Sequence, residues 1–210
     1  MRLNYVSDPS SLADPKEREI AERIKARRPG NQLLDLDRAL LIAPHMADGW
    51  NSFLGTVRSE KTNSLPPSIR QVAIARTVAL NRGWFAWRAH HDLLLASSDT
   101  KISTPAIDYL LSAEPKSAHA TPPSGSGFTD KHMAVIAYVD YMTKDLMVPD
   151  AVFERLRSQG FSEREIVEIT MCSCAYNCTT RFLWALNVGE GIEYGHMAPL
   201  PADPARRGTL

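Results

Sequence analysis

The sequence predicts an all-α fold, and three observations carry that prediction. Glycine and proline fall between segments rather than inside them. Strand-like alternation of polar and apolar residues is nowhere sustained, whereas apolar residues recur at helical spacing. One stretch, Ser68 to Leu80, is apolar nearly all round, the pattern of a helix buried on every side.

The elements follow in order along the chain. Asp14-Pro15 opens a charged helix over Lys16 to Arg28, closed by Pro29-Gly30. Asn31 to Ile42 reads as a second helix, with Leu33, Leu36, Leu40 and Leu41 at helical spacing and Ala43-Pro44 as its end. A third covers Met46 to Arg58, ahead of a polar loop from Ser59 to Ser64. Leu65-Pro66-Pro67-Ser68 announces the next, because proline is favoured at first helical positions. Asn81-Arg82-Gly83 separates it from Trp84 to Ala96, and Thr104-Pro105 opens a short helix to Ser112. Glu114 to Asp130 is rich in Pro, Gly, Ser and Thr and reads as a mobile loop, a candidate lid. Asp130 to Lys144 is another apolar helix, and Val148-Pro149-Asp150 starts one over Ala151 to Ser158, ended by Gly160. Ser162-Glu163-Arg164-Glu165 is a capping box opening the last helix, Glu163 to about Val188. The Gly- and Pro-rich remainder, 193–210, reads as a surface tail. The expectation is about ten helices in a single domain, 1–210.

Composition narrows the function. The chain has 210 residues, 44% hydrophobic and 23% charged, with mean hydropathy −0.24, enough to bury a sizeable core. Lys+Arg and Asp+Glu number 24 each, so the net charge is zero, against the basic excess of a nucleic-acid binder or a polybasic membrane anchor. No apolar run approaches the roughly 20 residues of a transmembrane span. The first residues lack the apolar core of a secretory signal, so a cytoplasmic location is expected. What is left is a chain that handles a small molecule or a protein partner.

Cys172, Cys174 and Cys178 fall in one helical window, and only Cys174 and Cys178 share a face. Three thiols on one element are no disulfide framework, and C-x-C-x-x-x-C without a histidine cluster is a poor zinc site. They read as small residues packed inside a helix. The histidines show neither H-E-x-x-H nor H-x-x-x-H spacing, and no phosphate-cradling glycine loop occurs, so neither metal nor cofactor is expected.

The densest chemistry lies in Gly83-Trp84-Phe85-Ala86-Trp87-Arg88-Ala89-His90-His91-Asp92. On a helix, Trp87 and His90 share a face, and histidine titrates near neutrality against an apolar aromatic wall. His90 is therefore the candidate general acid or base, with a hydrogen-bonded core histidine as the alternative.

The stretch LPPSIRQVAIARTVALNRGWFAWRAHHDLLL, with the upstream APHMADGWNSFLGTVR, resembles the carboxymuconolactone decarboxylase family. The likeness resumes at FTDKHMAVIAYVDYMTKDL and runs through the last helix, covering roughly residues 20 to 192. It implies an all-helical, cofactor-free enzyme assembled as a trimer or hexamer, with dimers also open. Relatives include lactone decarboxylases and alkylhydroperoxidase D-like peroxidases. The family's aromatic-Glu-Trp-x-x-His pattern falls on Phe85, Ala86, Trp87 and His90, so the glutamate is missing at Ala86. The peroxidase branch's Cys-x-x-Cys falls on Gly83 and Ala86, so no thiol stands there.

The resemblance thus implies a diverged member: a lyase or isomerase using His90 on a small carbonyl, lactone or carboxylate metabolite, such as a natural-product intermediate. Trp84, Phe85, Trp87 and Trp50 are its expected pocket aromatics, with Tyr138, Asn177 and Arg181 as polar substrate contacts. Arg76, inside the apolar run, is expected to tie the core to Glu168 or Asp140, or else to clamp an anion. Two alternatives stay open: a thiol-dependent peroxidase built on the three cysteines, and a non-catalytic binding protein.

Overall fold

The computed structural model describes residues 1–117 and 121–189. His119 and the expected tail, 193–210, lie outside the described residues. Among those described there are nine α-helices and no strands: α1 (Pro15–Ala26), α2 (Asp35–Leu40), α3 (Pro44–Arg58), α4 (Pro67–Leu80), α5 (Trp84–Leu95), α6 (Thr104–Ser112), α7 (Asp130–Lys144), α8 (Asp150–Ser158) and α9 (Glu163–Leu186). Two 3-10 turns, Pro9–Ser11 and Pro29–Asn31, complete the set.

The apolar run becomes the hub. Every residue of α4 from Ser68 to Ala79 is buried, against α5, α6, α7 and α9. Such a helix must find partners for its own polar side chains, and all five do, with only the Arg70 Nε left without one. Ser68 binds Asp99, Arg70 binds Glu60, Gln71 binds His90, Arg76 binds Asp140, and the Thr77 hydroxyl donates to the Ala73 carbonyl. Arg76 is 1% exposed. Its Nε and Nη2 take both Asp140 oxygens at 2.6 and 3.1 Å, and its remaining donors reach the Leu110 and Ala113 carbonyls. These contacts tie α4 to α6 and α7.

Local signals explain most boundaries. Asp14 caps α1 through its Oδ1 on the Lys16 amide, with Pro15 in the first turn. Ser162 and Glu165 close the expected capping box on α9. Several boundaries differ from expectation by one to four residues, three of them instructively. Helix α2 runs only from Asp35 to Leu40, because Gly30 and Asn31 sit at φ 64° and 55°, left-handed backbone that no α-helix contains. Pro44 opens α3 rather than ending its predecessor, filling the first-turn position where its missing N–H costs nothing. Helix α9 ends at Leu186, with Asn187 left-handed behind it.

The expected lid is anchored where it is described. The Lys116 amide donates to Asp140 at 2.7 Å, the Ser103 amide to Ser126, and Ser126 and Phe128 are buried. Gly127 has φ 83° with the Lys101 carbonyl where a Cβ would stand. None of this segment's described residues borders the cavity described next.

Candidate active site

A cavity of about 80 Å³ opens where α3, α5 and α9 meet the segment joining α1 to α3. Trp50, Leu54 and Arg58 reach it from α3, Phe85, Ala86 and His90 from α5, and Tyr176 and Thr179 from α9. Arg28 and Leu36 cover it from the connecting segment. That segment is pinned by a two-pronged ion pair, Arg28 Nε and Nη2 to both Asp37 oxygens at 2.8 and 2.6 Å.

At its floor lies a chain of hydrogen bonds through His90, which is 3% exposed. Nδ1 lies 2.7 Å from Gln71 Oε1, and Nε2 lies 2.5 Å from the Tyr176 hydroxyl. The Gln71 amide, as placed, assigns the ring proton to Nδ1, so Nε2 accepts from Tyr176. Burial, reinforced by the Arg58 charge, pushes the imidazole down to about 3, so it is neutral. Burial likewise pushes the Tyr176 phenol up to about 12, with the Arg58 guanidinium pulling the other way.

The sequence-predicted residues divide. His90, Phe85 and Trp50 line the cavity, Trp50 also stacking against Phe182. Trp87 is 2% exposed in the core, and Trp84 packs on that core half-buried; neither borders the cavity. Tyr138 bonds Thr170 through its hydroxyl and lies elsewhere. Asn177 and Arg181 belong to another cluster: the Asn177 oxygen accepts from Asn81 and Arg181, and its nitrogen donates to Thr143. They join the C-terminal ends of α4 and α7 to the second half of α9.

Sequence reasoning missed Gln71, Arg58 and Tyr176. Gln71 carries a signal, being an uncharged polar residue inside the same apolar run as Arg76. Tyr176 lies on the inward face of α9, and Arg58 is the last residue of α3; neither is marked by spacing.

The cysteines do not form a packed set. Cys172 is buried, and burial pushes its thiol up to about 12; Cys174 and Cys178 are exposed. None borders the cavity. At Gly83 a Cβ would stand 2.2 Å from Thr180 Cγ2, so α5 begins pressed against α9 where the resemblance would put a thiol. Among the described residues, no group of three or more His, Cys, Asp or Glu is placed to hold a metal.

No family model matches the chain, and no curated protein matches it. Solved structures do. It is similar to the alkylhydroperoxidase AhpD core of an uncharacterized peroxidase-related protein from Ralstonia eutropha JMP134, with a TM-score of 0.68 at 15% identity, covering 89% of this chain and 90% of that one. It is also similar to an uncharacterized peroxidase-related protein from Silicibacter sp. TM1040, with a TM-score of 0.65 at 16% identity, covering 88% and 90%. The chain therefore has the all-helical alkylhydroperoxidase D-like fold, a fold whose members include enzymes. No described helix is long and apolar enough to cross a membrane.

Proposed function

We propose that the protein is a cofactor-independent lyase or isomerase that moves a proton next to a carbonyl of a small metabolite. The observation that carries this reading is the Tyr176–His90–Gln71 chain at the floor of the cavity. A carbon acid bound against Tyr176 loses its proton to the phenol oxygen as the phenol's own proton passes to His90 Nε2. The substrate is left as an enolate and the histidine as an imidazolium. Return of the proton to another carbon isomerises the substrate; a β-oxo acid instead loses carbon dioxide first, the broken bond's electron pair forming the enolate, which the Tyr176 hydroxyl then protonates at carbon while taking a proton back from solvent. Because burial holds His90 neutral, the imidazolium forms only against negative charge appearing in the same cavity.

The test is exchange in deuterated water. Short oxo acids, esters and lactones are incubated with the protein and the loss of their α-proton signals is followed by NMR. The wild type exchanges at least one of them, and His90→Gln slows it by roughly two to four orders of magnitude. Equal rates in the two proteins overturn the reading.

A second reading, a thiol peroxidase, is favoured by the peroxidase-related descriptions of the structural neighbours. It predicts peroxide consumption that disappears when all three cysteines become serine. The high Cys172 thiol and the absence of a cysteine from the cavity weigh against it.

A homo-oligomer is the proposed assembly. Val167, Met171, Cys174 and Cys178 form an exposed stripe on α9 at alternating four- and three-residue spacing, the seam by which helices pair between copies. Light scattering on the purified chain decides it.

A further inference from the structure

The proton-transfer reading makes no use of Arg58. It closes α3, where its Nε donates to the Leu54 carbonyl at 3.1 Å, and its side chain lines the cavity beside Tyr176 and His90. Four other arginines of the interior are neutralised: Arg28 by Asp37, Arg38 by Asp35, Arg70 by Glu60 and Arg76 by Asp140, while half-buried Arg18 spends its guanidinium on the Leu12 and Ala13 carbonyls, away from the cavity. Arg58 has no carboxylate partner among the described residues. A half-buried guanidinium with no counter-charge is costly, and its planar fork matches a carboxylate in both geometry and charge. Leu36, Leu54, Trp50 and Phe85 form apolar wall around it.

We infer that the cavity takes a short-chain monocarboxylate, its charge received by Arg58 and its carbon chain laid against the apolar wall next to Tyr176. The inference rests on the acid–base reading for its chemistry, but the binding it predicts is measurable without turnover. Size follows from volume. The cavity's 80 Å³ is about half of the ~150 Å³ that encloses benzene, room for about three non-hydrogen atoms, so the carbons of a three-carbon acid fill it and the carboxylate oxygens meet Arg58 at its edge. One unpaired cation, with Arg28 already committed to Asp37, calls for one carboxylate rather than two.

The probes are propionate and its neutral isostere propionamide, titrated by NMR or calorimetry into the wild type, Arg58→Met, Arg58→Lys and His90→Gln. The wild type binds propionate at least tenfold more tightly than propionamide. Arg58→Met loses roughly ten- to a hundredfold in propionate affinity and leaves propionamide unchanged, which also shows that the pocket is folded. If Arg58→Met does not fold, Arg58→Lys, which keeps the charge without the fork, gives a several-fold loss in the same direction. Equal binding of the two probes to the wild type, no binding of either, or undiminished propionate binding when Arg58 is replaced overturns the inference. His90→Gln separates the two ideas. Retained propionate binding with α-proton exchange lost supports both; exchange at the wild-type rate overturns the acid–base reading and leaves the carboxylate site standing.

Discussion

His90 and His132 make a natural pair. Both are buried, both have two engaged ring nitrogens, and burial pushes both down, to about 3 and about 4. Their surroundings differ. His132 Nδ1 accepts the Thr129 amide at the start of α7, which leaves the proton on Nε2. Nε2 meets the Ser68 hydroxyl at 2.9 Å, and Ser68 donates onward to Asp99 at 2.6 Å. That chain starts at a helix cap and ends on a carboxylate, so every group in it is satisfied. His90 carries its proton on the opposite nitrogen, and its chain ends at a phenol facing a cavity that also holds an uncompensated cation. Burial and a depressed histidine are therefore no mark of a site; the space and the unmatched charge beside His90 are.

Exchanging the two histidines gives the largest separation. His90→Gln is expected to cut α-proton exchange by roughly two to four orders of magnitude, while His132→Gln leaves the rate of folded protein unchanged and lowers its melting temperature. A next test uses a buried charge remote from the cavity. Arg76→Met strands Asp140 and should cost about 3–5 kcal/mol in urea unfolding, with propionate affinity of the folded protein untouched. Gly83→Ala should cost about 1–3 kcal/mol, because the added methyl meets a β-branched side chain on a packed helix.

Acid titration probes both histidines together. Each has its folded value below the usual 6.5, so the unfolded chain binds more protons and stability rises with pH in that window. The stabilisation is complete above about pH 6.5 and is lost on acidification toward 4 and 3, at up to about 1.4 kcal/mol per pH unit for each group. Chemical unfolding at a series of pH values should show this slope, and His132→Gln should remove its own share. The smallest effect is expected at Asn177→Ala, about 1 kcal/mol in stability with no change in propionate binding.

The helices were legible because their signals are local. Proline, glycine and capping residues mark their own neighbourhoods, and the apolar run of α4 announces burial without reference to any partner. Where a boundary was misplaced, one backbone angle or one proline decided it: left-handed Gly30 and Asn31 shortened α2, and Pro44 began a helix instead of ending one. The site was legible only in its histidine and two flanking aromatics, Phe85 and Trp50. Gln71, Arg58 and Tyr176 are 13 to 118 residues from one another and meet around His90 only once four helices are packed. Asn177 and Arg181 looked like site residues for the converse reason: polar side chains on an apolar helix also arise where helix ends need joining.

The contact between Gly83 and Thr180 bears on the history open to this chain. A cysteine at position 83 meets Thr180 before it meets any peroxide, so a thiol pair at 83 and 86 needs Thr180 to shift or shrink as well. A change at position 180 brings no redox function of its own. A drift from the present cavity to thiol chemistry at these positions would thus pass through an intermediate with nothing to select it.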